Sequence, residues 1–248
     1  ISAQDHHLHL TQNNPLLPRQ PLKGPLAGGV TVILGAGAMG RMHVDLALSH
    51  KPRALVVADL IESRLKRVRD LFSHRAEQMG IPLHILNSGS CDIRQRVNEI
   101  TDHRGADDVI VAVGSAEAIS EAVHLTGRGA VLNLFGGLKR GEECIAFDTN
   151  IIHYREINIT GSSGGSPWDL VRTVELMNTG QVDGGAHIAR IGDLQHVPEF
   201  LKLVKEQKLD GKAIVYPHRR CREIQAIDYW SAEDERSWLS GVNQSCRG

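Results

Sequence analysis

From Val30 onward, short apolar runs alternate with stretches whose apolar positions recur every three or four residues. Val30–Leu34 is a β-branched run that ends at a glycine cluster, and 42–48 reads as the following helix, closed by Pro52. Residues 54–58 form a second buried strand, and Ile61, Leu65, Val68 and Phe72 give 61–79 the apolar stripe of a helix. A weaker strand at 83–86 precedes a helix at 93–100. Residues 108–113 read as a strand, 116–124 as a helix and 130–134 as a fifth strand. A sixth strand at 157–160 follows a long connection. Beyond it come a helix at 167–179, bracketed by Pro167 and Gly180, and a second helix with Val197, Phe200, Leu201 and Val204 on one face. A strand at 212–216 and a charged tail with a short helix capped by Ser231 complete the chain.

Repeating strand–helix units place a parallel sheet between two helical layers, joined by right-handed crossovers. The expected class is therefore α/β: a doubly wound, six-stranded parallel sheet of order 3-2-1-4-5-6. The expected divisions are a connector at 1–29, the sheet domain at 30–165, a further segment at 166–218 and a charged tail at 219–248.

Composition narrows the partners. The formal net charge is −1 with both signs mixed along the chain, which excludes the basic stripe of a nucleic-acid binder or an anionic-membrane anchor. Cys91, Cys144, Cys221 and Cys246 are widely spaced, so reduced thiols in a cytoplasmic protein are expected rather than a disulfide framework or structural zinc. The amino end is not a signal peptide, and its lack of Met suggests a start inside a longer protein.

The candidate chemistry begins at Gly35-Ala36-Gly37-Ala38-Met39-Gly40, a G-x-G-x-x-G run placed after a strand and opening a helix. In that context Gly35 makes the tight turn, Gly37 lets a pyrophosphate approach the backbone, and Gly40 lets the helix pack against the sheet. The helix amino end then stabilises the phosphates. Asp59 ends the second strand 19 residues beyond Gly40 (59 − 40), close to the ~20-residue spacing of a ribose-binding carboxylate. It accepts hydrogen bonds from ribose hydroxyls and repels a 2′-phosphate, which favours NAD over NADP. Arg64 lies near enough to approach the same ribose. The competing reading is that Asp59 only caps the next helix. Gly114, Gly136 with Gly137, and the run Gly161-Ser162-Ser163-Gly164-Gly165 follow three later strands, where a cofactor in an open α/β sheet lies.

These residues resemble the medium-chain dehydrogenase/reductase family, the zinc-dependent alcohol and polyol dehydrogenases. The resemblance covers roughly 28–217 and rests on the glycine run, Asp59 with Arg64, 108–114, Arg155-Glu156-Ile157 leading to Thr160-Gly161-Ser162, and Gly211-Lys212. Within the family it is most similar to the sorbitol dehydrogenase and L-sorbose-1-phosphate reductase types. It implies that Phe135 and Gly136 lie against the nicotinamide end, that Ser162 and Gly164 contact its carboxamide, and that Lys212 reaches the pyrophosphate; Val113 and Gly114 are further cofactor-binding positions. It also implies an amino-terminal zinc domain ahead of residue 1, with 1–9 the remnant of the interdomain helix. Hydride transfer between a secondary alcohol and NAD would then belong to the intact enzyme, with zinc held there and not in this chain. A homodimer paired through the sixth strand is a further expectation.

His6, His7 and His9 are the one imidazole cluster; with only Asp5 nearby they read as a polar helix face rather than a metal site. No nucleophile elbow is present. Three alternatives remain open: a zinc-free quinone-reductase-like enzyme, a non-catalytic dinucleotide-sensing module, and a methyltransferase.

Overall fold

The computed structural model describes residues 1–11, 20–206 and 208–240. The chain divides into two compact units, Ile1–Val182 and Asp183–Gly248.

The first unit opens with α1 (Ser2–Asp5), β1 (Leu8–Thr11) and β2 (Gln20–Lys23). It continues with β3 (Val30–Leu34), α2 (Ala38–Ser49), β4 (Ala54–Asp59), α3 (Glu62–Gln78), β5 (Leu83–Asn87) and α4 (Ile93–Ile100). Then come β6 (Ala106–Val111), α5 (Ala116–Leu125), β7 (Thr126–Leu134), α6 (Thr149–Arg155), β8 (Asn158–Gly161) and α7 (Pro167–Asn178). Strands β3 to β8 form a six-stranded sheet of order β5-β4-β3-β6-β7-β8, parallel throughout. Numbered from its own first strand, that is 3-2-1-4-5-6, as expected.

The period-two alternation of the strands sorts the core into two layers. Val32, Val56, Val109 and Leu132 face Val97, Ile119 and Val123 on one side. Ile33, Leu55, Val57 and Ile110 face Val44, Leu48, Leu65, Val68 and Phe72 on the other. Strands β3 and β4 are buried at every position, which favours apolar side chains on both faces and explains why their text is mostly apolar instead of alternating. Each fully buried Leu, Ile, Val or Phe contributes about 1.5–3 kcal/mol.

Several expectations need correction. Only Ser2–Asp5 is helical at the amino end; Leu8–Thr11 is a strand pairing antiparallel with Gln20–Lys23, so 1–9 is not one helix. The intervening 12–19, with Pro15, lie outside the described residues. Strand β6 begins at Ala106 and ends at Val111, leaving Val113 in the loop beyond it. The connection before β8 carries α6, capped by Asp148, whose carboxylate accepts from Asn150 and Ile151 amides. That helix is too short for a readable periodicity.

The second unit contains β9 (Ile188–Gly192), α8 (Val197–Lys205), β10 (Lys212–Val215), β11 (Gln225–Ala226) and α9 (Ala232–Ser240). Its sheet has the order β10-β9-β11, with β11 antiparallel. Ile191, Tyr216 and Trp238 form its core; Trp230 Nε1 donates to the Tyr216 hydroxyl at 2.9 Å, which donates to Glu235 at 2.7 Å. Of the expected apolar face on α8, Phe200 is buried while Leu201 and Val204 are 65% and 56% exposed. Among the described residues no helix is long and apolar enough to cross a membrane.

Candidate nucleotide-binding site

Strand β3 delivers the chain into a turn that only glycine can build. Gly35 sits at φ +103°, and a Cβ there would lie 3.1 Å from the Ala112 carbonyl group and 3.2 Å from Val113 Cβ. Its amide donates to the Ala58 carbonyl at 2.7 Å, tying the turn to β4. A Cβ on Gly40 would overlap the Gly35 carbonyl oxygen, so this glycine sets how closely α2 approaches the strand. Gly37 is different: it is the α2 N-cap, and a Cβ there would meet nothing within 4 Å. Bare backbone therefore faces open space at the positive end of α2, the geometry a diphosphate requires.

Asp59, at the end of β4, is 9% exposed and directed at this turn. Its Oδ2 accepts from the Ala36 amide at 2.7 Å and its Oδ1 from the Ile61 amide at 2.8 Å. It thus fixes the glycine turn and also holds the Ile61 amide at the entry to α3. Each carboxylate oxygen keeps a second lone pair for a sugar hydroxyl. Arg64 Nη1 stands 3.7 Å from Asp59 Oδ2.

The loops after β6 and β7 close on the same end of the sheet. A Cβ on Gly136 would lie 2.5 Å from the Val113 carbonyl group, and one on Gly114 2.5 Å from the Gly137 oxygen. Backbone packs on backbone here, and Val113, Gly114 and Gly136 come together beside the Gly35 turn. Phe135 meets His43 of α2 edge-on, with ring centroids 4.5 Å apart. Burial pushes the His43 imidazole down to about 4, with smaller effects from the amino-terminal charge and His7. Consistent with a neutral ring, Gln4 Nε2 lies 3.2 Å from His43 Nδ1 and donates to the His43 carbonyl at 3.1 Å.

Ser162 and Gly164 follow the edge strand β8, Gly164 at φ +71°. Met39 and Ala38 form the first turn of α2. Lys212 opens β10 in the second unit. Sequence reasoning passed over His43 and Arg41, a 2%-exposed arginine in the first turns of α2 whose Nη1 donates to the Ala36 carbonyl at 3.3 Å. Neither carries a periodic or spacing signal.

The histidines of the amino end do not line a polar helix face. His9 belongs to β1 and His7 precedes it, so the i, i+2 spacing turns both toward Asp108 of β6. His7 Nδ1 and His9 Nε2 lie 2.5 and 2.8 Å from Asp108 Oδ1, and Oδ2 accepts from the Leu26 amide at 2.8 Å. Burial opposes charge on both partners. For His9 the Asp108 hydrogen bond and charge, with a Gly129 backbone bond, outweigh it and raise its pKa. For Asp108 the two imidazole bonds outweigh burial and hold the carboxyl below its ordinary value. Asp108 lies in the amino-terminal half of β6, away from the glycine turns.

The parallel sheet, its strand order and the glycine turn define a Rossmann-type nucleotide-binding domain. Residues 29–179 match the family model described as zinc-binding dehydrogenase. The chain belongs to that family. It is 34% identical over 199 residues to mannitol-1-phosphate 5-dehydrogenase of Aliivibrio fischeri, covering 77% of this chain and 46% of the relative. Its fold matches the alcohol dehydrogenase of Aeropyrum pernix with TM-score 0.61 and 24% identity, covering 78% of this chain and 51% of that one. A zinc-binding dehydrogenase structure from Sinorhizobium meliloti bound to NADP matches with TM-score 0.62 and 22% identity, over 78% and 54% of the two chains. The chain spans about half the length of the relatives it matches.

Proposed function

We propose that this chain is the NAD-binding portion of a zinc-type dehydrogenase that oxidises a secondary alcohol of the polyol class. The observation that carries the reading is the Asp59 carboxylate, held against the glycine turn by the Ala36 amide with lone pairs remaining for a ribose. Gly35, Gly37, Ala38, Met39 and Gly40 would hold the diphosphate. Val113, Gly114, Phe135 and Gly136 would line the nicotinamide end, with Ser162 and Gly164 at its carboxamide. When bound, the nicotinamide supplies a hydride acceptor; the protein groups named here orient it. In the first unit, the described cluster of metal-binding residue types sits on Asp108, away from this crevice. Turnover and the catalytic zinc are assigned to the complete enzyme, and the polyol class rests on the named relative. A cytoplasmic location follows the reduced-thiol expectation. Among the described residues, edge strand β8 is bonded on one side only, by β7, and would pair with a second copy.

Arg64 beside Asp59 is the observation that favours a phosphorylated cofactor, since a guanidinium pairs well with a 2′-phosphate. Calorimetric titration of NAD and NADP decides between them. Binding of NAD at least ~10-fold tighter, a difference of about 1.4 kcal/mol, is expected. Equal affinity, preference for NADP or no binding of either overturns the assignment.

A further inference from the structure

In the second unit, the turn before α8 brings three metal-ligand types to one point. Asp193 and His196 are three residues apart on a single tight turn, and Cys221 arrives from the loop beyond β10. Asp193 Oδ1 lies 2.9 Å from His196 Nδ1, and Cys221 Sγ lies 3.8 Å from the same nitrogen. All three donor atoms fall within 4.8 Å of one another. Around a tetrahedral zinc with bonds of about 2.0–2.3 Å, ligand atoms stand roughly 3.3–3.7 Å apart, so shifts of no more than about an ångström would seat the ion.

The surrounding backbone already fixes these groups. Asp193 Oδ1 accepts from the Gln195 amide at 2.9 Å, and Oδ2 from the Cys221 amide at 3.0 Å, which joins the two halves of the cluster. Outer bonds of this kind orient metal ligands. As a plain hydrogen-bond pair the geometry is contested. His196 Nδ1 faces a donor, the Asp193 amide at 3.3 Å, and an acceptor, the Asp193 carboxylate. One ring nitrogen serves only one of them. A cation instead takes the converging lone pairs of nitrogen, oxygen and sulfur together.

We infer that Asp193, His196 and Cys221 bind a zinc ion, with solvent water as the fourth ligand. Asp193 is buried, whereas His196 and Cys221 are half-buried, so water reaches the open position. The His7–His9–Asp108 cluster contrasts with it in that all three of its residues are buried. The bound ion would anchor the loop after β10 to the turn before α8, in a unit whose apolar core is small.

The test uses the full chain, stripped with chelator and titrated with zinc by calorimetry and with cobalt(II) by absorption. One equivalent should bind, and cobalt should give a thiolate charge-transfer band. Cys221→Ser should abolish the band and weaken zinc binding by ~100-fold or more, at or beyond the upper end of the ~10–100-fold cost of losing an outer-shell partner. His196→Ala should weaken binding similarly, while His9→Ala should leave it unchanged. Circular dichroism and dinucleotide titration monitor folding of the variants. The unmodified chain decides the matter even where a variant fails to fold: no bound metal, or cobalt bound without a thiolate band, overturns the site. A band that survives Cys221→Ser overturns it equally.

Discussion

The glycine turn contains two glycines whose substitution by alanine should fail in opposite ways. At Gly40 a methyl would overlap the Gly35 carbonyl oxygen, which is backbone and has no rotamer through which to yield. Helix α2 would have to move away from the β3 turn, an overpacking cost near the upper end of the usual ~1–3 kcal/mol. Alanine's better helix propensity returns at most about 1 kcal/mol. A net loss of about 2 kcal/mol should lower Tm by ~4–8 °C for a unit of this size. At Gly37 the same methyl meets nothing, and the backbone angles of −65° and −175° suit alanine. Stability should fall by only about 0.5 kcal/mol, for the weaker N-cap. The methyl would occupy the diphosphate's approach, so NAD affinity should drop at least ~10-fold, or about 1.4 kcal/mol. Thermal melts of both variants, paired with NAD calorimetry, separate the two effects. If Gly40→Ala melts with the parent protein, or Gly37→Ala binds NAD as tightly as the parent, this account of the turn is wrong.

Asp59→Ala removes the acceptor of two amides together with the proposed ribose ligand; the proposed NAD preference over NADP should disappear, read by titrating both, and an unchanged preference would argue that Asp59 serves only the backbone at the entry to α3. Asp108→Ala strands two buried, paired histidines, His7 and His9, and should cost about 3–5 kcal/mol in urea denaturation; a neutral result would show the clamp to be ornamental. The same clamp predicts a pH window. The raised pKa of His9 makes its contribution fully present below the ordinary 6.5 and lost as pH rises through the folded value. The lowered pKa of Asp108 makes its contribution present above the ordinary 3.8 and lost as pH falls through the folded value. His43, held down to about 4, contributes in the opposite sense in both proteins, so the clamp is read as a difference: the stability that the parent holds over His9→Ala, measured by urea, should be largest at mildly acidic pH and shrink toward alkaline pH.

The sheet was legible because its signals are local. Val30–Leu34 and 54–58 are buried on both faces, so they read as unbroken apolar runs, and the glycine spacing lies within one turn. Asp59 was equally legible, since its distance from Gly40 is fixed by one helix and one strand. What escaped depends on partners distant in the chain. His7 and His9 are polar residues in a polar stretch, and only Asp108, about a hundred residues on, turns them inward and makes their segment a strand edge instead of a helix. The same holds for Cys221, whose neighbours Asp193 and His196 come from another loop. Periodicity and spacing encode which way a side chain points relative to its own element. Which charge or ring it meets there is set only when separate elements pack, and in this protein that packing decided the buried contacts of His7, His9 and Gln4.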